Sequence, residues 1–125
     1  MAKTLKEKIV EILKPQPPPW YLSLVRDVVE GLQEAVGPSY KVYSQPEIRG
    51  FSVYIKGEGW MNHVLNFKDL GDKVRVEGHT ETVVLPKEEA ETALLRALEG
   101  AAPLVYGCRI LGHDTPGVDS KPSDS

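Results

Sequence analysis

Between Tyr40 and Pro86 the apolar and polar residues alternate with a period close to two. In Phe51-Ser52-Val53-Tyr54-Ile55-Lys56 the odd positions are hydrophobic, and the even positions are polar, aromatic or basic. Successive side chains of a strand point to opposite faces, so one face is apolar and the other carries Ser52, Tyr54 and Lys56. Leu65 and Phe67 alternate in the same way with Asn66 and Lys68, and Val74 and Val76 with Lys73 and Arg75. The pattern predicts strands over 40–45, 50–57, 63–69 and 73–78, and a fifth over 81–85. Gln45-Pro46-Glu47 with Gly50, Gly57-Glu58-Gly59, Leu70-Gly71-Asp72 and Glu77-Gly78-His79 supply turn chemistry between them. Connections this short impose an antiparallel meander.

On either side of this region the period is helical. Leu5, Ile9, Ile12 and Leu13 recur at 3.6-residue spacing among Lys6, Glu7, Lys8 and Glu11, which predicts a short amphipathic helix over 4–14. Pro15, Pro17, Pro18 and Pro19 stop it, because proline lacks an amide donor and disfavours the helical region for its predecessor. Leu22, Val25, Val28, Val29, Leu32 and Val36 form the buried stripe of a second helix, closed by Gly37-Pro38. After Pro86, the carboxylates of Glu88 and Glu89 suit a helix start. Ala90, Ala93, Leu94, Ala97 and Leu98 then make a small-residue stripe fit for close packing on a sheet. Leu104-Val105-Tyr106 through Arg109-Ile110-Leu111 is expected to add a last strand, and residues 112–125 to be a disordered tail. The order predicts an α+β fold: an N-terminal helix over 1–14, a proline-rich connector over 15–19, and one domain over 20–111. In that domain helices cover one face of a four- to five-stranded antiparallel sheet and leave the other wet.

Composition narrows the class. The 125 residues are 41% hydrophobic and 26% charged, as in a globular domain with its own core. No apolar run approaches the roughly 20 residues that a membrane helix needs. Met1-Ala2-Lys3-Thr4 opens an amphipathic segment in place of a signal peptide, so a cytoplasmic location is expected. The lone Cys108 has no partner for a disulfide or a thiolate metal site and reads as a buried, inert thiol. No cofactor or metal is expected. The net charge of −3 is concentrated at the end of the chain, where Asp114, Asp119 and Asp124 face only Lys121. The folded part is therefore near neutral, and local field decides where a charged ligand binds.

The wet face is expected to present Lys41, Tyr43, Ser52, Tyr54, Lys56, Asn66, Lys68, Lys73 and Arg75, with Trp60 at a turn beside it. Rings that stack on bases and cations that follow phosphates are what single-stranded nucleic acid requires. The plainer alternative is that tyrosine and lysine are simply good residues for a solvated strand. His63 falls on the parity of Leu65 and Phe67, which places it at the core margin. Neither it nor the pair His79 and Glu81 has the spacing of a metal site or a triad. Gly57-Glu58-Gly59 is not a phosphate loop, since no helix follows it.

The layout resembles that of the archaeal ThermoDBP-related proteins, small single-stranded nucleic-acid-binding proteins with an antiparallel sheet, packed helices and a cleft of apolar and basic groups. The resemblance is architectural and covers about residues 16–111. It rests on Trp20-Tyr21, the meander from Phe51-Ser52-Val53-Tyr54-Ile55-Lys56 to Lys73-Val74-Arg75-Val76, and the helix from Lys87 to Glu99. It implies a non-catalytic binder of single-stranded DNA or RNA, although the zipper helix that ends some members has no counterpart in the Gly-, Pro- and Asp-containing end of this chain. Double-stranded RNA-binding domains share a helix–sheet–helix order with residues 20–99, but Lys87 is followed here by Glu88, Glu89 and Glu91 where those domains have lysines. Two alternatives remain open: a protein-interaction or assembly subunit, and a small enzyme using His63. The helix over 4–14 either docks on its own domain or joins two copies in a homodimer.

Overall fold

A computed structural model describes residues 2–14 and 17–114 of the chain. Five strands, β1 (Lys41–Glu47), β2 (Gly50–Gly57), β3 (Trp60–Asp69), β4 (Lys73–Glu77) and β5 (Thr82–Pro86), form one antiparallel sheet in sequential order. Four helices accompany them: α1 (Leu5–Ile12), α2 (Leu22–Val36), α3 (Ala90–Gly100), entered through a 3₁₀ turn at Lys87–Glu89, and α4 (Ala102–Asp114). The α+β class, the antiparallel meander and the order of its elements agree with the alternation in the sequence. No helix among the described residues is long and apolar enough to cross a membrane.

The core lies between the apolar sheet face and α2, α3 and α4. Phe51, Val53, Ile55, Leu65, Phe67, Val74, Val76 and Val83 reach it from the sheet, and Val28, Leu32, Val36, Ala93, Leu94 and Ala97 from the helices. Phe51 and Phe67 face each other across β2 and β3 with ring centroids 5.0 Å apart, and Tyr21 closes over both at 5.8 and 5.2 Å. The alanine stripe seats α3 on β4 and β5. α2 is fixed to the sheet's edge by one side chain: Gln33 donates to the Gly37 and Tyr40 carbonyls (2.9 and 2.8 Å), and the Val42 amide donates back to it (2.9 Å).

Three expectations are corrected. The segment over 104–111 is helical: Leu104, Val105 and Cys108 lie at i, i+1 and i+4, the spacing of a helix stripe, and turn toward the core as α4. Pro103 fits its first turn, where no amide donor is required. Residues 112–114 belong to this helix, and the rest of the expected tail, 115–125, lies outside the described residues. β1 continues through Pro46 to Glu47, because an edge strand tolerates a residue that cannot donate to a ladder. The turn is then only Ile48-Arg49, with Arg49 at φ 57°.

The third correction concerns β3, which starts at Trp60 and contains a bulge. Val53 pairs with Leu65 and Tyr54 with His63, so Val64 is an extra residue on β3. A bulge exchanges the two faces for everything beyond it. His63 therefore stands opposite Tyr54 on the wet face instead of at the core margin, and Trp60 moves to the helix side.

Candidate nucleic-acid interface

The registers of the five strands arrange the outward side chains in rows across the uncovered face. The first row is Lys41, Lys56 and Met61, and the second Tyr43, Tyr54 and His63. The third runs Gln45, Ser52, Asn66, Glu77 and Thr82, and the fourth Glu47, Gly50, Lys68, Arg75 and Val84. Lys73 begins a fifth, opposite Pro86. Rows succeed one another every two residues, about 6.8 Å along the strands.

The second row is aromatic. Tyr43 and Tyr54 stack with centroids 5.5 Å apart and planes 18° from parallel, and His63 meets Tyr54 edge-on at 5.3 Å. The Tyr43 hydroxyl donates to the Met61 thioether, which ties the first row to the second. Both tyrosines are half-buried at their sides by these neighbours while their row stays open to solvent. Stacking of this kind makes a broad apolar surface with little rotamer freedom left to lose on binding.

Polar groups of the third and fourth rows form a network. The Ser52 hydroxyl donates to Glu47 Oε2 at 2.5 Å, and Asn66 Nδ2 to Glu47 Oε1 at 2.6 Å and to Ser52 Oγ at 2.9 Å. These bonds, from Ser52 first and then Asn66, favour the ionised carboxylate and hold the Glu47 pKa below its ordinary value, with Lys68 and His63 adding smaller pulls. Ser52 is the buried polar side chain of the face, and the network supplies its partner. Arg75 Nε lies 3.4 Å from Glu77, and Lys68 Nζ donates to the Ile48 carbonyl at 3.3 Å.

Of the residues expected to form this surface, Lys41, Tyr43, Tyr54, Lys56, Lys68, Lys73 and Arg75 stand on it together, as do Ser52 and Asn66. Trp60 does not. It pairs with Gly57 at the end of the opposite face, where its indole lies across Gly57 and meets the Tyr40 ring at 5.4 Å. A side chain at position 57 would occupy the indole's place. Gln45, Glu47, Met61 and His63 belong to the face but were not in that expected set. The first two were assigned to a turn and the last two were concealed by the bulge, which no residue type announces.

His79 Nε2 donates to the main-chain carbonyl of His63 at 2.6 Å, and Glu81 pairs with Arg96 at 2.9 Å. No group of three His, Cys, Asp or Glu among the described residues is placed to hold a metal ion. Cys108 is buried, and that burial raises its thiol pKa.

Fold and surface together define a two-layer α+β protein with an open aromatic and basic sheet face. Comparison of the chain with protein-family models, curated proteins and solved structures finds no match.

Proposed function

We propose that the protein binds single-stranded DNA or RNA on the open sheet face, without catalysis. The observation that carries this reading is the stacked Tyr43–Tyr54 pair standing in a row between cations on an uncovered sheet. Bases stack on Tyr43, Tyr54 and His63, and the chain of phosphates passes Lys41 and Lys56 on one side and Lys68, Arg75 and Lys73 on the other. Aromatic platforms of this sort contribute roughly 1–3 kcal/mol per base and tolerate any sequence, since every base has a π-face. Glu47 stands among these cations as a fixed acceptor. It repels phosphate and is suited to the amino groups at base edges. A protein-docking role for the same face accounts less well for the choice of residues, because protein interfaces exclude lysine from their centres.

The test is fluorescence anisotropy of a labelled oligonucleotide at low and moderate salt. Binding that weakens steeply with salt is expected, and no binding at low salt would end the proposal.

A further inference from the structure

Helix α1 stands apart from the core. Thr4 caps it through a reciprocal box with Glu7, and Lys3 bridges to Glu11 at 2.7 Å, so its sequence specifies a helix. None of its residues is buried, and Leu5, Ile12 and Leu13 are 73, 73 and 74% exposed. Eight residues do not hold a helix in water by propensity alone; such a helix persists when its apolar face is packed.

A matching surface lies on the helical layer. Between α2, α3 and α4 runs an apolar groove of about 500 Å³, floored by Gly31, Leu32 and Ala35 and rimmed by Leu95 and Tyr106. Nothing lies within 4 Å of where a side chain on Gly31 would begin, so the floor is open to a close approach. The net charges of the N-terminal segment and of the three helices around the groove are opposite in sign. Residues 2–14 hold Lys3, Lys6, Lys8 and Lys14 against Glu7 and Glu11, a net of +2. By sequence α2, α3 and α4 carry Arg26, Arg96 and Arg109 and six acids, a net of −3, of which Asp27 and Arg109 belong to the groove's own lining.

The intervening sequence, with Pro15, Pro17, Pro18 and Pro19, is of the kind that acts as a semi-rigid spacer of about 3.1 Å per residue. None of α1 is buried against its own domain, and a stretch of this composition opposes the reversal that docking on its own α2 requires. We infer that the apolar groove between α2, α3 and α4 receives α1 of a second copy of this chain, in a reciprocal exchange. A two-fold exchange is closed: each groove is filled once and no apolar edge is left over. Both open sheet faces remain free, so the inference is independent of what they bind.

Two full-length variants and sedimentation velocity over a concentration series test it. Gly31→Arg fills the groove and repels the lysines of α1, at a site with open space and where arginine is a better helix former than glycine. Ile9→Lys spoils the apolar stripe of α1, outside the core. The expected result is a dimer for the parent chain and a monomer for each variant, with thermal melting showing both variants folded. A monomeric parent chain overturns the exchange. So does a dimer that survives Gly31→Arg, which would mean α1 pairs with α1, or one that survives Ile9→Lys, which would mean that the grooves meet without it.

Discussion

Four side chains carry the residue-scale consequences, and they differ in kind. Tyr54 is central to the aromatic row, so Tyr54→Ala should weaken oligonucleotide binding by roughly 1–3 kcal/mol in an anisotropy titration. Lys56 lies one row away and contributes charge alone: Lys56→Ala should reduce the slope of log affinity against log salt by about 0.7 and leave stacking intact. Trp60, seated between Gly57 and Tyr40 on the helix side, should tolerate Trp60→Ala with oligonucleotide binding unchanged. Glu47 links the face to pH. Its folded pKa is below the ordinary 4.5, so the stabilisation it brings is fully present above that value and is lost as pH falls through the lowered folded pKa. Melting temperatures of the parent and Glu47→Gln should therefore converge as pH falls from 4.5 through the lowered folded pKa. At neutral pH Glu47→Gln should bind oligonucleotide more tightly, since a negative charge has left the face.

Among the elements, β3 decides what the face contains. Deleting Val64 removes the bulge and restores strict alternation from Trp60 to Phe67. His63 and Leu65 would then be adjacent and still opposite Tyr54 and Val53, so His63 and Met61 stay on the open face and Trp60 on the helix side. The variant should keep its oligonucleotide affinity and lose stability with the buried Val64 side chain, as followed by anisotropy and thermal melting. The strands themselves were legible, because alternation at Phe51–Lys56 and Lys73–Val76 is dictated by burying one face only. A bulge has no such imprint: Val64 is as apolar and as fully buried as Leu65 beside it. Strand positions set by alternation alone therefore hold on one side of Val64 and fail on the other, which is why Lys68 and Arg75 were placed correctly and His63 and Trp60 were not. The end of the chain shows a second limit. Leu104-Val105-Tyr106 is a short apolar run that fits a strand or a buried helix equally. Contact with α2 selects the helix, and local sequence contains no information about that contact.

On the scale of the whole molecule, the net charge of −3 conceals a separation of charge between layers. The outward rows hold Lys41, Lys56, Lys68, Lys73 and Arg75 against Glu47 and Glu77, while α2, α3 and α4 together carry −3. On the proposed reading this separation draws a polyanion to the sheet and turns it away from the helices. Three to five neutralised phosphates correspond to a salt slope between about −2 and −3.5 for a single strand. The two-layer design also sets what is expendable: the exposed cations of the face can be replaced at little cost in stability, but the core cannot, and Phe67→Ala should cost about 3–5 kcal/mol in denaturant unfolding because Phe51 and Tyr21 lose their common partner. The most direct test of the central claim is a residue-resolved titration, in which backbone amide shifts of the isotope-labelled protein are followed as a short unlabelled oligonucleotide is added at low salt. Shifts concentrated at Tyr43, Tyr54, His63 and Lys56 and fading along α2, α3 and α4 are predicted; shifts confined to the helices, or none at all, would contradict it.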